Sequence, residues 1–215
     1  MHVLITGANR GIGAALAARY RAEGHEVTGT ARQQARDLVP LDVTDPASCA
    51  ALAARLAGRP LDLLICNAGV YPDGNEQLDT GYPAGMWAQT LATNVTGVFL
   101  TVQALLPALR AASGAKIGII SSQMASHTLA SGGSYIYRAS KAAALSLGRN
   151  LAVDLAPEGI AVGIYHPGWV RTDMGGPAAA ISAEESAGGL VARLAALSPG
   201  TTGCFETWDG RAHPY

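Results

Sequence analysis

Charge is in short supply in this chain. Asp, Glu, Lys and Arg make up 14% of its 215 residues, against 49% hydrophobic ones, which excludes a chain kept disordered by polarity and self-repulsion. No stretch gathers Lys and Arg, and the formal net charge is -1. The basic footprint of a nucleic-acid binder is therefore missing, and no such partner is expected. Long apolar runs are missing too, because Gly, Pro or a charge interrupts each one; no transmembrane helix and no membrane partner are expected. No basic stretch and apolar core precede a cleavage site near Met1, where "VLIT" reads as a strand, so a signal peptide is not expected either. Cysteine is limited to Cys49, Cys66 and Cys204, odd in number and far apart. They read as free thiols of a reducing, cytoplasmic compartment, packed as small hydrophobes. The histidines at 2, 25, 127, 166 and 213 show no metal-ligand spacing, so no metal site is expected. A packed or solvated role suits His166, beside a Pro-Gly turn, better than a place in a site. The G-x-S-x-G elbow of α/β hydrolases and the G-x-x-x-x-G-K-[ST] P-loop are both absent.

Present instead is a regular alternation of apolar runs with Ala-rich helical stretches. "HVLIT", "HEVTGTA", "LDLLICN", "AKIGIIS", "IAVGIYH" and "GCFETW" read as strands, with "LVPLDV" a weaker one because of Pro40. Between them lie a helix closed by Gly24, one opened by the Asp45-Pro46 pair, a long one ending near Arg110, and one from about Tyr135 to Ala156. Continuous Val/Ile/Leu strands separated by helices predict an α/β fold: a doubly wound parallel sheet, a Rossmann-type three-layer αβα arrangement, in a single domain over residues 1–215. The link from "GTAR" to "LVPLDV" barely accommodates a crossover helix, which leaves that side of the sheet partly bare. The Ala-rich helix from Ala139 to Ala152 suits ordinary helix-on-sheet packing and close packing on a second copy equally.

The first strand runs into "TGANRGIG", Thr6 to Gly13. Gly7 permits a tight turn, Gly11 lets backbone approach a phosphate, and Gly13 allows close helix packing. The helix that follows offers free N–H groups and the positive end of its dipole to a pyrophosphate. Further on, "YIYRASK" holds two tyrosines and a lysine. Tyr137 and Lys141, four apart, share a helical face, whereas Tyr135 lies on nearly the opposite one. An ammonium beside a phenol favours the ionised form and lowers its pKa, which suits a general acid/base acting on a carbonyl or alcohol.

The T-G-x-x-x-G-x-G turn and Y-x-x-x-K resemble the short-chain dehydrogenase/reductase family. "SSQMAS", "NVTG", "CNAG" and "HPGWVRTDM" fall in the matching order, so the likeness covers most of the chain. The chain length, "HPGWVRTDMGG" and "FETWDGRAHPY" look closest to the C-factor-like and sniffer-like carbonyl reductase branch. The resemblance implies hydride transfer between NADP(H) and a carbonyl or alcohol, with Tyr137 as acid/base, Lys141 tuning it and holding ribose hydroxyls, and Asn94 completing a proton relay. Ser122, the second of a serine pair, would position the substrate oxygen. Ser126 stays a candidate because the segment from Ser122 to Tyr137 is slightly longer than in many members. Cofactor contacts are implied for Gly7, Asn9, Arg10, Gly11, Ile12 and Gly13, for Asp42 and Val43 at the adenine, and for Asn67, Ala68 and Gly69. Pro167, Gly168, Val170 and Thr172 would meet the carboxamide end. Cys66 departs from the family's Asn-Asn-Ala-Gly, which puts one structural hydrogen bond in doubt. Arg32 stands after the second strand where NAD-preferring sites place a carboxylate, and Arg10 adds a second guanidinium; together they suit a 2′-phosphate, and NADPH is expected over NADH. Tyr71, Tyr82, Trp87 and Trp169 are candidate walls of the substrate mouth. The short Gly175–Ser182 stretch implies an open site for varied or apolar carbonyls. Homodimers or homotetramers through the Ala139–Ala152 helix would follow the family habit. A cofactor-binding signalling or regulatory protein with little turnover is the competing expectation.

Overall fold

A computed structural model describes residues 1–33, 35 and 37–215. Seven parallel strands form one sheet in the order β3-β2-β1-β4-β5-β6-β7. They are β1 (His2–Ile5), β2 (Glu26–Ala31), β3 (Val39–Pro40), β4 (Leu63–Cys66), β5 (Lys116–Ile120), β6 (Ala161–His166) and β7 (Phe205–Thr207). The helices are α1 (Gly11–Ala22), α2 (Pro46–Arg55), α3 (Ala84–Leu91), α4 (Gly97–Arg110), α5 (Tyr135–Leu155) and α6 (Ala183–Ala196). Strand pleating sends alternate side chains to two cores. Leu4, Leu64, Ile117, Ile119, Val162 and Ile164 pack with α2, α4 and α5. Val3, Ile5, Leu63, Ile65, Ile120 and Tyr165 pack with α1 and α6. Burial on both faces is why these strands read as unbroken apolar runs. This is the doubly wound α/β architecture expected from the alternation.

Local chemistry sets the helix ends. The Asp45 carboxylate accepts from the Ala47 N–H at 2.9 Å with Pro46 behind it, and Gly24 leaves α1 at φ +81°. Pro40 cannot donate to a ladder, and β3 is a two-residue edge strand. No helix occurs between β2 and β3 among the described residues, as the short link requires. One face of α5 packs on the sheet: Ala144, Gly148 and Ala152 are buried, and a Cβ on Gly148 would lie 2.6 Å from Ile164 Cγ1.

One element differs from the sequence reading. The long helix ending at Arg110 is interrupted by a π-helical turn at Ala92–Thr96, between α3 and α4. The whole stretch Ala84–Arg110 is 27 residues with a mean hydropathy of 1.4 in its most apolar window, long and apolar enough to cross a membrane by those measures. Val98, Val102, Leu105 and Leu109 of α4 are buried in the core, and 33% of that window is buried in all. The order of the strands reverses between β1 and β4, so a crevice opens at their carboxyl ends, where such sheets bind ligands.

Candidate active site

The glycine turn lies at that crevice. Gly7 and Gly11 have φ of +67° and +54°, a region costly for any residue with a Cβ. A Cβ on Gly13 would lie 2.2 Å from the Gly7 carbonyl oxygen and 2.5 Å from Asn67 Nδ2. Asn67 stitches the turn to β4, donating from Nδ2 to the Thr6 and Gly7 carbonyls at 3.0 and 3.1 Å. The Thr6 hydroxyl accepts from the Asn67 and Ala68 N–H groups, both at 3.0 Å. Cys66, in place of the family's first Asn, is buried in the core instead, and burial pushes its thiol pKa up to about 12. Gly11 faces the other wall: its Cβ would be 3.1 Å from Thr172 Cγ2. This close, Cβ-free backbone ahead of a helix N-terminus fits a dinucleotide pyrophosphate.

A cleft of about 300 Å³ joins the turn to the tyrosine. Ile12, Ser121, Ser122, Tyr137, Pro167, Gly168, Val170 and Thr172 all line it. Tyr71 and Trp169 do as well, whereas Tyr82 packs edge-on against Tyr135 with ring centroids 5.2 Å apart. Tyr135 is 39% exposed and Tyr137 only 7%, so the helical spacing separates the two tyrosines as expected. The Tyr137 ring stacks on Tyr71 at 4.3 Å. Behind it, Lys141 Nζ sits 5.5 Å from the ring centroid and donates to the Ile120 carbonyl at 2.9 Å.

The electrostatics differ from the simple expectation of a lysine-lowered phenol. Burial is the largest influence on Tyr137 and raises its pKa well above the ordinary phenolic value; Ser122 opposes this, and Tyr71 and Asp73 add to it. Burial also lowers Lys141 from 10.5 to about 8. Burial is the largest influence on both groups.

Each serine has a distinct place. Ser121 donates to the Lys141 carbonyl at 3.1 Å, anchoring α5 to the end of β5. Ser122 accepts from the Met124 N–H at 3.1 Å and lines the cleft. Ser126 lies off the cleft, bonded to Thr128 and to the Tyr215 carbonyl at 2.9 and 3.2 Å. Asn94, in the π-helical turn, is 1% exposed. It accepts from the Val70 N–H at 2.8 Å, and donates to the Val70 carbonyl and Ser140 hydroxyl at 2.9 Å each. A Cβ on Gly69 would lie 3.3 Å from Asn94 Oδ1 and 3.6 Å from Lys141 Nζ, so glycine leaves room for both.

Towards the adenine end, Asp42 accepts from the Thr44 N–H and hydroxyl at 2.9 and 2.7 Å. Those bonds hold its carboxyl below the ordinary range, with Arg32 helping. Arg10 is exposed and paired with Asp173 at 2.6 Å. Sequence reasoning gave His166 a packed role, yet it lines the cleft, 8% exposed, with Nδ1 unpartnered among the described residues. Burial, aided by His213, lowers its pKa to about 4, so it is neutral at ordinary pH. Asp73 went unnoticed in the sequence altogether.

The family model described as short chain dehydrogenase matches residues 1–181. The chain is 37% identical over 166 residues to the C-signal protein of Myxococcus xanthus, spanning 77% of this chain and 99% of that one. It is 35% identical to 1-hydroxy-2-glutathionyl-2-methyl-3-butene dehydrogenase of Rhodococcus sp. strain AD45, over 97% of this chain and 96% of that one. Its fold superposes on the NADPH-bound carbonyl reductase from chicken fatty liver with a TM-score of 0.91 at 34% identity, covering 100% and 98% of the two chains. The chain belongs to the short-chain dehydrogenase/reductase family and is an oxidoreductase.

Proposed function

We propose that the protein is an NADP(H)-dependent carbonyl reductase, or the matching alcohol dehydrogenase, built on Ser122, Tyr137, Lys141 and Asn94 in one domain of the cytoplasm. The observation that carries this reading is the single cleft shared by the glycine-turn residue Ile12, the Pro167–Thr172 wall, Ser122 and Tyr137. The cofactor, when bound, supplies or accepts hydride. Gly7, Asn9, Gly11, Gly13, Asn67, Ala68 and Gly69 would hold its pyrophosphate and ribose. Asp42 and Val43 would border the adenine, and Arg10 and Arg32 the 2′-phosphate.

In the reductive direction Tyr137 donates its phenolic proton to the carbonyl oxygen, and Ser122 donates a hydrogen bond to the same oxygen. Burial keeps that phenol protonated at neutral pH, the form reduction needs. Lys141 and Asn94 lie behind it as the route by which the proton is replaced. Apolar walls from Tyr71, Met124, Trp169 and Met174 suit an apolar aldehyde or ketone. Likeness to C-signal keeps a regulatory role with little turnover as a second reading. The complete Ser-Tyr-Lys-Asn set favours the enzyme.

The test is Tyr137→Phe with NADPH and a panel of aldehydes, ketones and quinones. Turnover should vanish while NADPH binding persists. Full activity in that variant would remove the mechanism, and NADPH binding without oxidation of any carbonyl by the parent would favour the regulatory reading.

A further inference from the structure

Asp73 is 0% exposed, in the turn-rich loop after β4. Its Oδ2 accepts from the backbone N–H groups of Ile136 and Tyr137 at 2.8 and 3.2 Å, across 63 and 64 residues of sequence. These are N–H groups of the first turn of α5, which have no partner inside the helix. The residue at the usual capping position, Ser134, cannot serve: it has φ +47° and makes no side-chain cap. Its hydroxyl pairs instead with the Tyr71 hydroxyl at 2.7 Å. The segment carrying Asp73 is itself tied down, Val70 by Asn94 on both its N–H and C=O, and Tyr71 by its stack on Tyr137. A strap from Val70 to Asp73 thus holds the start of α5 from outside.

Asp73 Oδ1 has no partner among the described residues, so the role of this side chain is carried by Oδ2 and the two N–H groups it accepts from.

We propose that Asp73 is a positioning residue for the reaction: it fixes the first turn of α5, and with it the Tyr137 phenol. The inference rests on the reading of Tyr137 as the proton donor, so its tests are chosen to fail separately from that reading. Asp73→Ala removes the cap, while Asp73→Asn keeps an acceptor for the two N–H groups. Asp73→Ser, a shorter neutral cap, stands in if the Asn variant does not fold; NADPH binding and circular dichroism report folding.

Hydrogen exchange reads the positioning without any turnover. The amides of residues 136 and 137 should exchange at least about tenfold faster in Asp73→Ala than in the parent, and near the parental rate in Asp73→Asn. Equal protection in the parent and the Ala variant would overturn the positioning role. Steady-state reduction of a carbonyl reads the placement of the phenol. In Asp73→Ala kcat should fall at least about tenfold while the KM for NADPH stays within about twofold, and Asp73→Asn should recover most of the loss. An unchanged kcat in a folded Ala variant would overturn the positioning role. A parent that reduces no carbonyl would refute the assigned reaction, and the exchange result would still decide the positioning.

Discussion

Lys141 should make the protein less stable than it would be without it. The ammonium is 5% exposed, and burial brings its pKa from 10.5 down to about 8. Below pH 8 both the folded and unfolded chains carry the proton, and the folded state bears the full penalty of a buried charge. Between pH 8 and 10.5 the unfolded chain binds more protons, so stability rises with pH across that window. Above it both forms are neutral and the penalty is gone. Each decade is about 1.4 kcal/mol, so the distance from 10.5 to about 8 corresponds to about 3 kcal/mol. Lys141→Met keeps the length and apolar stem but gives up the charged donor's bond to the Ile120 carbonyl, a loss of about 2 kcal/mol. The variant should therefore be about 1 kcal/mol more stable than the parent at pH 7, with the order reversed by about pH 10.5. Urea unfolding of both proteins at pH 7 and 10, without nicotinamide cofactor, measures it. A variant less stable than the parent at pH 7, or a difference that stays constant with pH, would refute the reasoning.

Arg32→Asp should raise the KM for NADPH at least about tenfold and shift preference towards NADH; an unchanged KM would remove Arg32 from the cofactor site. Ser122→Ala should lower kcat about a hundredfold or more, while Ser126→Ala, off the cleft, should leave steady-state rates within about twofold. Asn94→Ala strips partners from the Val70 N–H, the Val70 carbonyl and the Ser140 hydroxyl. It should reduce unfolding free energy by about 3 kcal/mol in denaturant titrations, and a loss below about 1 kcal/mol would mean those groups find other partners.

What the sequence shows well is local. The glycine turn, the Asp45-Pro46 cap and the Tyr137-Lys141 spacing each depend on residues a few positions apart, and each stands in the fold as read. Pro40 likewise announces the shortest strand. The π-helical turn at Asn94 leaves no such mark, since its residues Ala92–Thr96 include neither Gly nor Pro. Asp73 is invisible for another reason: an Asp in a turn-rich loop is ordinary, and its partners lie 63 and 64 residues away. Depth is equally hidden. Spacing places a lysine near a phenol but cannot tell that burial will raise the phenol's pKa.

The choice between the serines can be made by following protons, which no motif supplies. A hydroxyl has one proton to donate. That of Ser121 goes to the Lys141 carbonyl, and Ser126 has the Tyr215 carbonyl within reach of its own. Ser122 accepts from the Met124 N–H, and its hydroxyl also bonds the Tyr137 phenol, opposing the rise in that group's pKa. Its side-chain partner is thus the group proposed to react, and it lines the same cleft. Asn94 and Asn67, by contrast, have their amides committed to the scaffold. In the proposed reaction a substrate oxygen entering between Ser122 and Tyr137 would meet both hydroxyls, the phenol held protonated by burial. On that reading the pair would polarise a carbonyl, with the phenol as the proton donor.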